Sequence, residues 1–352
     1  MDAARPIELG WDLQPPASGW WGWSQVQRRV FLTYLAGLTG AALLDLDPLT
    51  EAHPAGAELL SVRQAVTDLA HANLGRTPAA AYRVLVRHAA RLAADIRTVN
   101  ITTSTSTPPL RDGLIGIRAE TLGHAGAVAG LTLGRPGVAA RHLDDALGDA
   151  EQVGAFPLRA WLLARRAKLA TYAGALDDAV LTLLGARQAP GLDAATGAWI
   201  DAQLGEAYGL QGSDRACMAA LERAGEGVER AASGPAVPWI GGFDQTRLAG
   251  YTGICELRLG RPAAAEVALL DGLAAGRHPA VLVDLADTYR VMGEPEQAAR
   301  VGADALGLVA ASPSRLFRDR FRGMLGRLML RYPAVAGVVE LEERSRVAGL
   351  AA

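Results

Sequence analysis

Along most of the chain the apolar residues recur every three or four positions instead of alternating, the spacing of one buried stripe on a helix. Tyr82, Leu85, Val86, Ala89 and Leu92 form such a stripe and predict a helix over about 78–97. An earlier helix is expected over about 57–74, and another from Ser24, an N-cap residue, through Arg28, Phe31, Leu32, Leu35 and Leu38. From residue 113 onward the pattern repeats itself. The sets Gly134–Ala139–Leu143–Ala146, Gly174–Ala179–Leu183–Ala186, Gly212–Cys217–Leu221–Ala224, Gly260–Ala265–Leu269–Gly272 and Gly293–Ala298–Gly302–Ala305 share one spacing. A glycine is followed at plus five and plus twelve by a small residue and, in four of the five, at plus nine by leucine. Helical hairpins ask for this arrangement. The glycine supplies a positive-φ cap between two helices, the small residues admit a neighbouring helix, and leucine fills the space between.

The five glycines are 40, 38, 48 and 33 residues apart, periods of a stacked solenoid. Leu204-Gly205-x-x-Tyr208…Gly212…Cys217…Ala224 and Leu285-Ala286-x-x-Tyr289…Gly293…Ala298…Ala305 resemble the tetratricopeptide signature. The other copies carry Gly130, Ala170 and Glu256 in place of the aromatic residue. The fold class expected is therefore all-α: a tetratricopeptide-like, right-handed solenoid of helical hairpins with an N-terminal helical cap. Its expected divisions are a tail over 1–23, the cap over 24–100, a Thr/Ser/Pro loop over 101–112, repeats over 113–311 and capping helices over 312–352. The loop is read from Thr102–Pro109, where hydroxyls and prolines oppose regular structure. The longest spacing holds an insert, 233–243, whose Trp239 and Phe243 either pack back on the core or form a flap; packing back is favoured.

Composition narrows the function more than it reveals it. Half of the 352 residues are hydrophobic and only 5% are aromatic, which suits closely packed helices. A net charge of −2 gives no general reason to bind nucleic acid or an anionic membrane. No signal peptide or membrane-length apolar run is evident, so a cytoplasmic protein is expected. Cys217 and Cys255 lie within apolar helical patterns and not in metal or disulfide spacing. No phosphate-binding loop, zinc motif or nucleophile elbow occurs, and His124 with His142 is a weak pair across one hairpin. Neither a cofactor nor a metal is expected, and no catalytic residue is assigned.

In a solenoid the first helices of successive hairpins line a concave surface. The glycine register places His124, Trp161, Lys168, Tyr172, Trp199, Glu206, Arg247, Asp287 and Arg290 on it. Trp161 and Trp199 occupy equivalent positions and are either anchors for a ligand or packing between helices. The charged residues favour the groove, because Lys, Glu and Arg are seldom fully buried. Lys168 is the chain's only lysine, which removes the basic carboxylate clamp that a co-chaperone would need.

Four segments carry a wider resemblance. They are Pro238-Trp239…Phe243-Asp244…Leu248…Gly253-x-Cys255-x-Leu257-x-Leu259-Gly260, Arg28-Arg29-x-Phe31-Leu32, Pro6-Ile7-Glu8-Leu9-Gly10-Trp11 and Ser312-x-Ser314-Arg315. Together they resemble actinobacterial-type helix-turn-helix transcriptional regulators with a tetratricopeptide-like C-terminal sensor domain. That resemblance implies a DNA-reading head and a helical sensor; the 23 residues before Ser24 are too few for such a head, so autonomous DNA binding is not expected. The resulting expectation is a non-catalytic sensor or interaction module in transcriptional regulation, taking a peptide or small signal molecule in its groove. The alternative is a constitutive protein–protein scaffold, and the least favoured class is an enzyme with an unrecognised helical active site. A membrane partner is not expected; a homodimer is compatible with the sequence.

Overall fold

A computed structural model describes residues 56–72, 77–102, 108–234, 239–240 and 242–351. The expected tail, the helix expected from Ser24 and most of the Thr/Ser run lie outside them. The described residues are helical and contain no strand. They divide into two compact units, residues 1–158 and 159–352.

The first unit contains α1 (Gly56–Ala72), α2 (Pro78–Thr102), α3 (Pro108–Ala127), a π-helical turn (Val128–Thr132) and α4 (Pro136–Gln152). Helix α2 is longer than expected, and α3 begins inside the segment assigned to a loop. A proline at the start of a helix is readily accommodated, since its missing N–H would have no intrahelical partner there. Helices α1, α2 and α3 pack on one another. Their core joins Val62, Val66 and Leu69 of α1 to Val84 and Leu85 of α2 and Ala125 of α3.

The second unit begins within α5 (Phe156–Tyr172) and continues through α6 (Leu176–Arg187), α7 (Ala194–Leu210) and α8 (Asp214–Ala231). It goes on with α9 (Gln245–Arg258), α10 (Pro262–Asp271), α11 (Pro279–Met292), α12 (Pro295–Ala311), α13 (Arg315–Arg331) and α14 (Ala336–Val347). Helix α7 packs on α6, α8 and α9; α9 packs also on α10 and α11; α11 packs also on α12 and α13. Each of α7, α9 and α11 thus touches its own second helix and the next first helix. The expected division between cap and repeats near 101–112 does not coincide with the boundary at Leu158, because the first hairpin, α3–α4, belongs to the N-terminal unit.

The glycine register is visible atom by atom. Gly134, Gly174, Gly212, Gly260 and Gly293 all have positive φ, between 64° and 85°. In the last four hairpins the residue after the glycine donates its N–H to a carbonyl five residues back, for instance Glu294 N to Tyr289 O at 2.9 Å. In the first hairpin the reach is six, Arg135 N to Ala129 O at 2.7 Å, because the π-turn inserts one residue. Ala139, Ala179, Cys217, Ala265 and Ala298, at plus five, are fully buried.

A further small position lies in the first helix of each hairpin. A β-carbon on Gly205 would lie 2.9 Å from Leu221, and one on Gly253 2.4 Å from Leu269. The plus-nine leucine therefore rests on the backbone seven residues before the capping glycine. In the first hairpin the equivalent contact is Gly126 with Leu143, displaced by one residue by the π-turn.

Candidate functional site: an aromatic cleft with paired charges

The second unit carries a cleft of about 610 Å³ lined by α5, α7, α9, α11, α13 and the loop between α10 and α11. Its aromatic surface comes from Tyr172, Trp199, Phe243, Tyr251 and Phe317. The Phe243 and Tyr251 rings meet edge-on with centroids 6.0 Å apart, as do His278 and Phe317 at 5.5 Å. Phe243 is held by local structure: Asp244 caps α9 by accepting the Arg247 N–H at 2.9 Å. Upstream of it, Trp239 Nε1 donates to Thr196 Oγ1 of α7 at 3.2 Å, so the described part of the insert packs back on the helices.

Two ion pairs lie in the cleft. Lys168 of α5 donates to Glu206 of α7 in a very short contact and to the Tyr251 hydroxyl at 3.3 Å. Its ammonium also lies over the rings of Tyr251 and Tyr172, at 4.7 and 5.2 Å from their centroids. Burial opposes the charge on Lys168, but Glu206 with Tyr172 and Tyr251 outweighs it and holds the ammonium proton well above the ordinary lysine range. Burial likewise opposes the charge on Glu206, yet Lys168 keeps its carboxyl below the usual value. Arg320 of α13 grips both oxygens of Asp284 of α11, the longer contact being 2.6 Å. Here burial prevails over the arginine and raises the Asp284 carboxyl.

Beside the cleft, the Arg165 guanidinium lies between two indoles, 5.0 Å from the Trp161 centroid and 5.1 Å from that of Trp199. Trp199 faces the cleft, whereas Trp161 is fully buried beneath Arg165 and lines nothing. The two readings left open for the tryptophans divide between them: Trp199 lines the cleft and Trp161 packs in the core.

The cleft unites Lys168, Tyr172, Trp199, Glu206 and Arg247 from the sequence-derived set. Besides Trp161, three residues of that set lie elsewhere. Asp287 and Arg290 pair with each other at 2.6 Å, and Arg327 of α13 joins Asp287 at 2.9 Å, a structural cluster between α11 and α13. His124 belongs to the first unit, buried, with its ring stacked on His71 at 4.1 Å and Nε2 3.6 Å from Glu120. It is not a groove residue. Its hairpin companion His142 instead meets the Tyr82 hydroxyl at 3.0 Å.

Tyr251, Asp284, Phe317 and Arg320 were missed. Tyr251 had a signal, since it lies one turn beyond Arg247 and shares its helix face. Phe317 and Arg320 lie in a stretch where arginines interleave with Leu316, Phe317 and Phe321, which reads first as a terminal cap and only second as a basic partner-docking helix.

Among the described residues no group of three His, Cys, Asp or Glu side chains is arranged to hold a metal ion. No described helix is long and apolar enough to cross a membrane. No family model matches the chain, and no curated protein is significantly similar to it.

Proposed function

We propose that this protein is a non-catalytic sensor module that binds a small molecule or a short peptide end in the cleft of its second unit. The observation that carries the reading is the joining of first helices from successive hairpins around one cleft of about 610 Å³, the size class of small-ligand sites. Of its charged groups, Lys168, Glu206, Asp284 and Arg320 are fixed in ion pairs, and its aromatic rings offer flat apolar contact. Ion pairs such as Lys168–Glu206 hold the first helices in register before any ligand arrives, which reduces the ordering cost of binding.

The hairpin geometry further supports a tetratricopeptide-like solenoid, in which each repeat contacts only its neighbours. A ligand touching α7, α9, α11 and α13 together would favour one pitch among them and so transmit its presence to a partner. The resemblance to helix-turn-helix regulators favours an output in transcriptional control.

Native mass spectrometry after incubation with small-molecule fractions of the host cell tests the reading. A discrete small-mass adduct, lost in Tyr251→Ala while the variant stays folded, is the expected result. An adduct retained in that variant would place the site elsewhere. Stable capture of a protein with no small adduct would replace the sensor by a constitutive scaffold.

A further inference from the structure

The charges of the cleft do not cancel. Glu206 and Asp284 have their cations in Lys168 and Arg320, and Asp244 is occupied as the cap of α9. Arg277, at the rim, shares Asp304 at 2.6 Å. With Arg165 beside the cleft counted in, one positive charge is left over, because Asp244 keeps its own charge while capping α9. Among the described residues neither Arg165 nor Arg247 has a carboxylate within ion-pair distance, and Arg165 Nε is buried without a hydrogen-bond acceptor. Arg165 feels this surroundings directly: burial, and the Arg247 charge after it, bring its guanidinium down to about 10 against the pull of Tyr251. On the other side, burial and then Arg247 and Arg320 hold His278 below the ordinary histidine value.

Like charges gathered without a counter-charge are costly in the empty protein and favourable once an anion arrives. The backbone adds to the effect. Helix α11 opens at the cleft with Pro279 and has no side-chain cap, while Ala280 and Val281 line the cleft in its first turn. Fourteen residues of aligned peptide dipoles thus direct their positive end toward the same space. The flat surfaces of Trp199, Tyr251 and Phe243 adjoin these cations.

We infer that the cleft seats a flat organic anion, a ring system bearing one acid group, carboxylate or phosphate. The acid group is drawn by Arg247, reinforced by Arg165 and the α11 N-terminus, and the ring lies against Tyr251, Phe243 and Trp199. This inference rests on the reading of the cleft as a ligand site and adds the class of ligand.

Four isosteric probes test it by ligand-observed NMR at millimolar concentration: 2-naphthoate, 2-naphthyl phosphate, 2-naphthamide and 2-naphthylmethylammonium. The full chain should bind one or both acids in preference to the amide and exclude the ammonium, with affinity falling as salt rises. The two acids tell a carboxylate site from a phosphate site. Arg247→Gln, on the exposed rim, should weaken acid binding about ten-fold or more and leave amide binding unchanged. Arg346→Gln, outside the cleft, should alter neither. Equal affinity for acid and amide, or preference for the ammonium, overturns the anion inference and leaves the cleft as a ligand site. Binding of none of the four, with no small-mass adduct from host extract, removes both.

Discussion

Two deeply placed glutamates, Glu120 of the first unit and Glu206 of the second, keep opposite company. In the first, Asp68 and Glu120 share the amide of Gln64, at 3.0 and 3.1 Å, with no lysine or arginine within ion-pair distance among the described residues. Burial, with the neighbouring carboxylate adding to it, raises Asp68 to about 6; burial raises Glu120 to about 7, though Gln64 favours the ionised form of each. In the second, Glu206 is as deeply placed and keeps its charge, because Lys168 faces it. The difference teaches that an acid at a helix interface marks a binding surface only when the structure also supplies its counter-charge. The first unit leaves Asp68 and Glu120 to the Gln64 amide, while its Asp149 and Asp95 are held by Arg118 and Arg63 within the packing of its helices. The second arranges fixed, charged pairs around open space.

Breaking the Lys168–Glu206 pair is the strongest challenge to that comparison. Lys168→Met leaves Glu206 buried beside apolar groups and should destabilise the chain by about 3–5 kcal/mol in urea unfolding. Adding Glu206→Gln should restore most of the loss. If the single variant is as stable as the parent, Glu206 does not depend on Lys168.

The contrasting acids of the first unit respond to pH. Glu120 ionises near 4.5 when unfolded and only about 7 when folded, so its neutral form supports the fold at low pH and that support is lost as pH rises through about 7. His88 acts oppositely: burial, with the Arg63 charge, lowers it to about 3 against a favourable backbone contact, so its contribution is present above 6.5 and lost as pH falls. From pH 6.5 to above 7 the Glu120 effect is the largest that remains. Hydrogen exchange of α1 and α3, corrected for its intrinsic pH dependence, should quicken modestly across that interval, with a loss of at most about 1 kcal/mol, and Glu120→Gln should abolish the change.

Two glycines sharpen the comparison in apolar terms. Gly253→Ala, in the second unit, forces a methyl to 2.4 Å from Leu269 and should cost about 1–2 kcal/mol despite better helix propensity. Gly148→Ala in α4 of the first unit meets nothing within 4 Å and should stabilise by up to about 1 kcal/mol. Thermal melts of both variants check the signs.

Much of the local architecture was legible because hairpins repeat their demands. The positive φ of five glycines and the burial of the plus-five residues follow from spacing alone. The small position opposite the plus-nine leucine was hidden, since Gly126, Ala167, Gly205, Gly253 and Ala286 hold a constant register only when the π-turn at Val128–Thr132 is allowed for. The site was legible by half. Lys168, Tyr172, Trp199, Glu206 and Arg247 came from the register, but Trp161 shares the register of Trp199 and is core, because Arg165 lies over its ring. Asp287 was expected at the groove, and α13 takes it instead: Arg327 draws Asp287 while Arg320, two turns earlier, holds Asp284 at the cleft. Such cross-helix pairings depend on which neighbour arrives, and no pattern within one helix reveals them.

Hydrogen–deuterium exchange of the full chain with and without 2-naphthoate tests the central claim, that the second unit holds the ligand site and the first does not. Slowed exchange over the first turns of α9, α11 and α13, with α1–α3 unchanged, is the result this structure predicts. Protection confined to α1–α3, or protection nowhere at saturating probe, would contradict it.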